Sequence, residues 1–344
     1  MRRPAHTAGM EYRRLGSTGL SVSSVCLGTW RFGKESDGVV ETDRADAHEL
    51  LDAFADRGGN FIDTANGYGG GKSERWIGEW LAERDREDFV VASKCFWSQV
   101  SRFQENLSRK NVRAEVEGSL DRLDTEYLDI LYLHRFDDDT PVERTLRTLD
   151  DLVSEGKVHH IGLSTADAWK LTKGLWKADV DNYEAFTVTQ PLFHAAYYED
   201  VSEYLAVCAD QDVAVCPYSP LAGGFLTGKY ERVGDGTYDL DAPEDTRADL
   251  DPMFEEYYVS ERGWHVLDAV RAVADEVDAT PAQVALRWLM DQPDFTCVPI
   301  IGARTVDQLD ENLAAVDVSL SDEQFDRVFE ARYDADGDLY RTNA

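Results

Sequence analysis

Polar residues capable of acid–base chemistry follow three successive apolar runs of this 344-residue chain. Asp63 and then Tyr68 follow the first run, Lys94 follows the second, and His134 follows the third. A hydride that arrives at a carbonyl carbon leaves an alkoxide, which needs a proton at once. A lysine ammonium favours the phenolate of a nearby tyrosine and lowers the pKa of that tyrosine towards working pH. A carboxylate holds the lysine charged, and a histidine polarises the carbonyl oxygen. These residue types together predict carbonyl reduction, with Tyr68 as the proton donor.

Short apolar or β-branched runs alternate along the chain with segments of helical periodicity. The strand candidates are residues 22–27, 60–62, 89–92, 128–133, 160–163, 186–189, 213–216 and 297–301. This alternation predicts parallel strands joined by right-handed crossovers, and eight units predict an α/β fold of the closed (β/α)8 TIM-barrel type. No G-x-G-x-x-G motif follows the first strand, which argues against an open dinucleotide-binding sheet. In such a barrel the polar residues that follow the strands are expected to meet at one mouth.

Two segments do not fit the strand–helix alternation. Residues 15–20, with Gly16 and Gly19, predict the turn of an N-terminal β-hairpin before the first barrel strand. The stretch from Gly223 to Glu261 follows strand 7 and is long for a connection, so it is expected to be a functional lid or binding loop, or else disordered. Residues 1–9 are expected to form a loose leader, and residues 10–344 a single barrel domain.

The charge of the chain restricts its partners. There are 67 acidic and 35 basic residues, for a formal net charge of −32. Nucleic acid and anionic membranes would be repelled, so neither is expected as a partner. Lysine is scarce, with nine against 26 arginines. In molar salt the Debye length is about 3 Å and self-repulsion disappears, so the composition resembles that of proteins from salt-accumulating halophiles. An ordinary acidic cytosolic enzyme is the alternative.

Cysteine and histidine usage argues against disulfides and metals. The five cysteines are scattered without a C-x-x-C pair, at Cys26, Cys95, Cys208, Cys216 and Cys297. This pattern fits a reducing cytoplasm, and most of these side chains are expected to be buried. Cys95, beside Lys94, is the candidate for reactivity. No pair of histidines at a strand end has metal-ligand spacing, so a metal-dependent barrel hydrolase is excluded and no metal is expected.

The segment 61–69, Phe-Ile-Asp-Thr-Ala-Asn-Gly-Tyr-Gly, followed by Ser-Glu at 73–74, resembles the signature of the aldo-keto reductase superfamily. The similarity continues in family order at 93–94, 133–134, 162–164, 190, 219–221, 227–230, 301–304 and 308–312. The loop motif 227–230 is closest to the long-loop branch, which includes bacterial and archaeal oxidoreductases and potassium-channel β-subunits. The resemblance implies an NAD(P)H-dependent oxidoreductase whose catalytic tetrad is Asp63, Tyr68, Lys94 and His134.

The resemblance also implies which positions contact the cofactor. They are Gly28, Thr29, Trp30, Asp63, Ser164, Gln190, Phe193, Ser219, Pro220, Leu221, Gly223, Lys229, Arg247, Gly302, Arg304, Gln308, Glu311 and Asn312. Ser164 and Gln190 are implied to hold the nicotinamide carboxamide. Phe193 is implied to stack on the ring, where the family usually has tyrosine, and Thr165 stands where asparagine is usual.

Arg304 decides the expected cofactor preference. A guanidinium binds phosphate oxygens in a fork, so Arg304 is a partner for a 2′-phosphate. NADP(H) is therefore expected to be preferred over NAD(H), which stays possible. The resemblance implies that the long loop after strand 7 covers the cofactor, and Arg247 from this loop is a candidate second contact.

The expected partner is a small carbonyl compound or the corresponding alcohol or sugar. The candidate substrate pocket consists of Trp30, Tyr68, Phe96, Trp97 and His134. Its aromatic residues favour aldehydes or ketones with apolar bulk, and sugars also stack on such rings. The alternative function is a cofactor-binding regulatory subunit with little turnover, which an exposed apolar docking face would indicate.

Overall fold

A computed structural model describes residues 9–36, 39–101, 105–233, 240–241, 254 and 258–333. Residues 1–8 of the expected leader, most of the long loop with Arg247, and residues 334–344 lie outside these ranges. The strands, in chain order, are β1 (Tyr12–Arg14), β2 (Ser21–Ser23), β3 (Cys26–Gly28), β4 (Glu35–Ser36), β5 (Val39–Val40), β6 (Phe61–Asp63), β7 (Val90–Cys95), β8 (Leu128–Leu133), β9 (Val158–Ser164), β10 (Phe186–Gln190), β11 (Ala214–Val215), β12 (Glu231–Arg232), β13 (Leu240–Asp241) and β14 (Ile300–Ile301).

The helices surround the central strands. They are α1 (Arg44–Asp56), α2 (Lys72–Leu81), α3 (Arg109–Leu123), α4 (Val142–Ser154), α5 (Ala168–Asp181), α6 (Ser202–Asp210), α7 (Glu261–Val277), α8 (Pro281–Met290), α9 (Val306–Leu313) and α10 (Asp322–Glu330). Several begin at a side-chain cap: Asp43 accepts hydrogen bonds from two backbone N–H groups of α1, and Thr280 forms a capping box with Gln283. No helix among the described residues has both the length and the apolar character needed to cross a membrane.

Eight parallel strands form the central sheet in the order β11-β10-β9-β8-β7-β6-β3-β14. A parallel bridge between Val215 and Cys297 joins its two ends, and Val298 N–H donates to the carbonyl of Val215 at 2.9 Å. The sheet therefore closes on itself, and the predicted (β/α)8 barrel is confirmed.

The hairpin is also confirmed, but the first predicted strand, residues 22–27, was wrong as a single element. Ser21–Ser23 pairs antiparallel with Tyr12–Arg14 in the hairpin, and the barrel strand begins only at Cys26. The chain turns a corner between them, where Ser23 Oγ donates to the carbonyl of Val25 at 2.7 Å. Apolar residues continue across this corner because both sides pack inward, so periodicity alone could not separate them.

The core has two layers. Inside the barrel, Cys26, Phe61 and Ile130 belong to one buried cluster, and Leu15 and Val22 of the hairpin pack into the same cluster. A second, larger cluster lies between the strands and the surrounding helices. Burying one large aliphatic or aromatic side chain stabilises the fold by about 1.5–3 kcal/mol, so this packing gives the mouth a rigid base.

The segment after β11 folds back over the strand ends. A 3-10 turn at Ala222–Thr227 contains Gly223 at φ 65°, a left-handed conformation that favours glycine. A Cβ at Gly223 would lie 2.8 Å from the ring of Tyr258. Tyr258 and Phe254, which come from the long loop, thus pack against the turn.

Candidate active site

Three neighbouring strands bring the four predicted catalytic residues to one end of the barrel. Asp63 is the last residue of β6, and Tyr68 lies in the loop that follows it. Lys94 lies near the end of β7, and His134 comes directly after β8. Because these strands are parallel and adjacent, their carboxyl ends meet at the mouth.

Lys94 is the centre of the hydrogen-bond network. Its side chain is completely buried, and Nζ donates to Asp63 Oδ2 at 2.5 Å, to the Thr64 carbonyl at 2.8 Å and to Tyr68 Oη at 3.1 Å. Three partners use all three ammonium protons. Gln190 Nε2 donates to the other Asp63 oxygen at 2.9 Å. The network thus joins Tyr68 to the end of β10 through one buried cation.

Burial competes with charge in this network. Burial raises the pKa of Asp63, while Lys94 and Gln190 oppose the rise. Burial would lower the pKa of Lys94, but Asp63 and Tyr68 outweigh it and the pKa is raised. An ammonium with a raised pKa stays charged at neutral pH, and it remains a cation beside the Tyr68 hydroxyl.

The pKa of Tyr68 is raised as well, and this corrects the sequence-based expectation. Burial is the largest cause and Asp63 adds to it, while Lys94 only partly opposes them. We had expected Lys94 to lower the pKa of Tyr68 towards working pH. The burial of the mouth could not be read from residue spacing. Tyr68 therefore carries its proton at neutral pH, which is the state that a proton donor needs.

His134 lies between Tyr68 and an aromatic wall. Its ring centroid is 5.9 Å from that of Tyr68 and 4.9 Å from that of Trp97. Burial, with the Lys94 charge, lowers the pKa of His134 to about 3, so the imidazole is neutral at pH 7. Within the described part of the chain, buried Nδ1 has no hydrogen-bond partner. A neutral imidazole has one N–H to donate, and that group is suited to a carbonyl oxygen.

The two residues predicted to hold a carboxamide are linked to each other. Ser164 Oγ donates to the Gln190 carbonyl at 2.9 Å, and Ser164 and Thr165 have their hydroxyls 3.3 Å apart. Thr165 has φ 47°, a left-handed conformation that asparagine adopts more readily than threonine. The Thr165 side chain also hydrogen-bonds Tyr218.

The ring-stacking role predicted for Phe193 was wrong. Phe193 is completely buried, and its ring packs against Tyr198, Trp288 and Phe295 at centroid distances of 5.9 to 6.3 Å. No face of it reaches the mouth.

Tyr218 is the aromatic residue that does lie at the mouth, and the sequence analysis assigned it no role. It is half-buried, lies three residues after the end of β11, and is close enough to Tyr68 that Tyr68 contributes to raising the pKa of Tyr218. The signal that could have found it is its place at the end of a barrel strand.

Thr29, another predicted cofactor contact, hydrogen-bonds the backbone of Asp63. It is completely buried, and its Oγ1 donates to the Asp63 carbonyl at 2.9 Å and lies 2.8 Å from Ser73 Oγ. Thr29 thus holds the backbone of Asp63 in place. Gly28 is required by packing, because a Cβ there would lie 2.6 Å from Ile300 Cγ2.

The remaining predicted cofactor positions form two groups. The segment after β11 carries Ser219, Pro220, Leu221, Gly223 and Lys229; the segment from β14 into α9 carries Gly302, Arg304, Gln308, Glu311 and a buried Asn312. Burial and then the charges of Arg304 and Arg31 lower the pKa of Lys229. The fold therefore brings the two groups together at a cluster of cations.

The predicted pocket residues differ in exposure. Trp30 is 42% exposed and Trp97 38%, whereas Phe96 is buried behind Trp97. The predicted reactivity of Cys95 was wrong: its side chain is buried, and burial with Glu115 and Glu74 raises its pKa to about 12. The described residues contain no group of three or more potential metal ligands.

Comparison with known proteins agrees with the resemblance seen in the motifs. The model of the aldo/keto reductase family matches residues 24–332. Norsolorinic acid reductase B of Aspergillus parasiticus is 35% identical over 329 residues, which cover 92% of this chain and 83% of that protein. Uncharacterized oxidoreductase YrpG of Bacillus subtilis is 34% identical, covering 91% and 93%. A probable voltage-gated potassium channel subunit beta of Arabidopsis thaliana is 33% identical, covering 90% and 92%. The family match and the two relatives named as a reductase and an oxidoreductase support a general oxidoreductase role, and the chain belongs to the aldo/keto reductase family.

Proposed function

We propose that this protein is an NADP(H)-dependent reductase of aldehydes or ketones, with Tyr68 as the general acid. The observation that carries the proposal is the double contact of Lys94 with Tyr68 and Asp63 at the barrel mouth. A structural role alone does not require a buried ammonium to touch a tyrosine hydroxyl. The reverse reaction, oxidation of an alcohol or sugar, uses the same groups with Tyr68 as the base.

The proton step follows from the geometry. A carbonyl oxygen beside Tyr68 Oη and the His134 ring becomes negatively charged during reduction, and the Tyr68 proton moves to it. The resulting phenolate lies next to the Lys94 ammonium, whose charge Asp63 maintains. A positioned general acid contributes about 10²–10⁴-fold to rate, and a preorganised donor such as His134 about 10²–10³-fold.

The residues at the mouth fit a dinucleotide carrying phosphates. Lys229 lies close enough to Arg304 and Arg31 for their charges to lower its pKa, and Arg31 is also paired with Glu41. A phosphate-bearing ligand would be attracted by these cations, and Arg304 suits a 2′-phosphate. Tyr218, half-buried at the mouth, offers an aromatic ring. Bound there, NADPH would supply the hydride.

The composition favours a cytoplasmic protein that works at high salt. The five cysteines are free and buried, as expected in a reducing compartment. The charge of −32 is best tolerated where salt screens it. Activity should therefore be measured in concentrated potassium chloride.

The test is NADPH oxidation on addition of a panel of aldehydes and ketones. The wild type is expected to oxidise NADPH, whereas Tyr68→Phe loses turnover but still binds the cofactor. Tyr127→Phe is the matched control, because Tyr127 donates to Glu87 on the protein surface. Equal turnover in wild type and Tyr68→Phe refutes the proton-donor role.

A regulatory subunit is the second candidate, and one feature favours it. Helix α5 exposes Trp169 (56%), Trp176 (57%) and Val180 (57%), spaced so that they share one face. Exposed apolar faces of this kind mark interaction sites. NADPH binding without turnover of any carbonyl compound, together with capture of a partner by this face, would put the regulatory role first.

A further inference from the structure

One arginine at the mouth is not used by the network described above. Arg135 directly follows His134, is exposed, and has its guanidinium carbon 5.5 Å from the centroid of Phe96. Among the described residues it has neither an ion pair nor a hydrogen bond. Many arginines of this acid-rich chain do form ion pairs, as Arg109 does with Asp151. The five N–H donors of Arg135 are thus left for something outside the described chain.

An aromatic wall connects Arg135 to the proposed reaction centre. The ring of Phe96 lies 5.2 Å from that of Trp97, and Trp97 lies 4.9 Å from His134. Both contacts are edge-to-face, which leaves part of the Trp97 face exposed. His134, which can polarise a carbonyl, therefore lies at one end of this aromatic wall. Arg135, which has no ion pair among the described residues, lies at the other end.

The other side of the mouth is also cationic. Lys34 Nζ lies 3.7 Å above the ring of Trp30. Arg31 and Lys34 both bind Glu41, so one carboxylate is shared by two cations. Arg31 and Lys34 thus outnumber Glu41 by one positive charge beside Trp30. A local excess of positive charge attracts anions.

We propose that the preferred substrate is an aromatic aldehyde or ketone with an acidic substituent, whose negative charge binds Arg135. The inference rests on the proposed reductase function and specifies its substrate class. The aromatic ring packs on Trp97, the carbonyl group faces Tyr68 and His134, and the anionic group forms charge-assisted hydrogen bonds with the guanidinium. Arg135 is then a specificity residue.

The kinetic test compares 4-carboxybenzaldehyde with its neutral methyl ester, methyl 4-formylbenzoate. For the wild type we expect kcat/KM to favour the carboxylate by about tenfold or more, the effect of one charge-assisted hydrogen bond. In Arg135→Gln this preference should fall about tenfold, through KM. Arg135→Lys should restore part of it, and Arg44→Gln, which removes an equal charge on α1, should retain it. An unchanged preference in Arg135→Gln overturns the proposal.

A binding experiment tests the same inference without turnover. Benzoate and benzamide are titrated into the protein and followed by tryptophan fluorescence, at the lowest potassium chloride concentration at which the wild type stays folded. Benzoate should bind more tightly than benzamide, and Arg135→Gln should weaken benzoate binding about tenfold. Equal affinities for the two ligands refute the inference. If no carbonyl compound is reduced but benzoate binding depends on Arg135, the reductase proposal fails and the anion site stands.

Discussion

The hydroxyl of Tyr68 lies 3.1 Å from the ammonium nitrogen of Lys94, yet burial keeps the pKa of Tyr68 above its ordinary value. The contact thus does not ionise the tyrosine in the resting protein. Its effect comes later, because the phenolate forms only when the proton has moved to the substrate. Lys94 stabilises the Tyr68 phenolate only while that negative charge forms in the transition state. The contact therefore lowers the reaction barrier, and Tyr68 still carries its proton in the resting protein.

Removing the Lys94 charge should damage both stability and activity. In Lys94→Met, Asp63 stays buried without its cation, and breaking a buried ion pair costs about 3–5 kcal/mol. Reduction should slow by about 10²–10⁴-fold. Urea unfolding and NADPH oxidation measure the two effects. Lys157→Met is the control, since Lys157 pairs at the surface and should change little. A Lys94→Met protein as stable as wild type contradicts the buried pair.

The rate of reduction should not depend on a histidine titration. The pKa of His134 is lowered to about 3, and Tyr68 titrates above its ordinary value of about 10. The acid form of Tyr68 is required, so kcat/KM should be flat from about pH 5 to pH 8 and fall only as pH rises through the Tyr68 pKa. A step near pH 6.5 that disappears in His134→Gln would show that His134 titrates there.

His194 should make the fold sensitive to acid. It is buried, both ring nitrogens lack partners among the described residues, and burial with Arg262 lowers its pKa to about 3. The unfolded chain binds a proton near pH 6.5 and the fold does not, so stability is lost as pH falls below that value. At pH 5 the loss is about 2 kcal/mol.

His194→Leu should remove this part of the pH dependence. The measurement is the difference in unfolding free energy between pH 8 and pH 5, compared with wild type. His159→Leu serves as the control because His159 lies at the surface, where its ring is tilted against that of Tyr127. If wild type and His194→Leu lose the same stability over this range, His194 is protonated in the fold.

Arg304 should decide between the two nicotinamide cofactors. Arg304→Gln is expected to weaken NADPH binding about tenfold, since a charge-assisted hydrogen bond to phosphate is lost. NADH has no 2′-phosphate and should bind nearly as before. Fluorescence titration of both cofactors measures the difference, with Arg327→Gln on α10 as the matched control. If Arg304→Gln weakens the binding of NADPH and NADH equally, Arg304 contacts a part of the dinucleotide that both cofactors have.

Salt should stabilise the folded protein. With a net charge of −32, self-repulsion is strong at low ionic strength and is screened when the Debye length falls to about 3 Å in molar salt. The thermal unfolding midpoint, followed by circular dichroism, should therefore rise as potassium chloride increases to molar concentrations. A midpoint independent of salt contradicts a high-salt setting.

The sequence by itself determined the barrel and the order of its polar strand ends. Alternating strands and helices allow few topologies, because crossovers between parallel strands are right-handed. Asp63, Lys94 and His134 then have to lie at the same mouth, since residues at the carboxyl ends of parallel strands share one edge. The order of the elements along the chain and their hydrophobic periodicity are both visible in the sequence, and they are sufficient to place these residues at one mouth.

Tertiary structure decided what each side chain faces. Phe193 and Tyr218 are both aromatic and both follow strands. Phe193 is buried because it packs against Trp288, whereas Tyr218 stays half-buried at the mouth. Thr29 and Cys95 lie close to predicted site residues in sequence, and both side chains are buried. The sign of the Tyr68 pKa shift depends on burial by distant segments. The burial of a side chain depends on contacts with residues from the whole chain, so it cannot be predicted from the spacing of neighbouring residues.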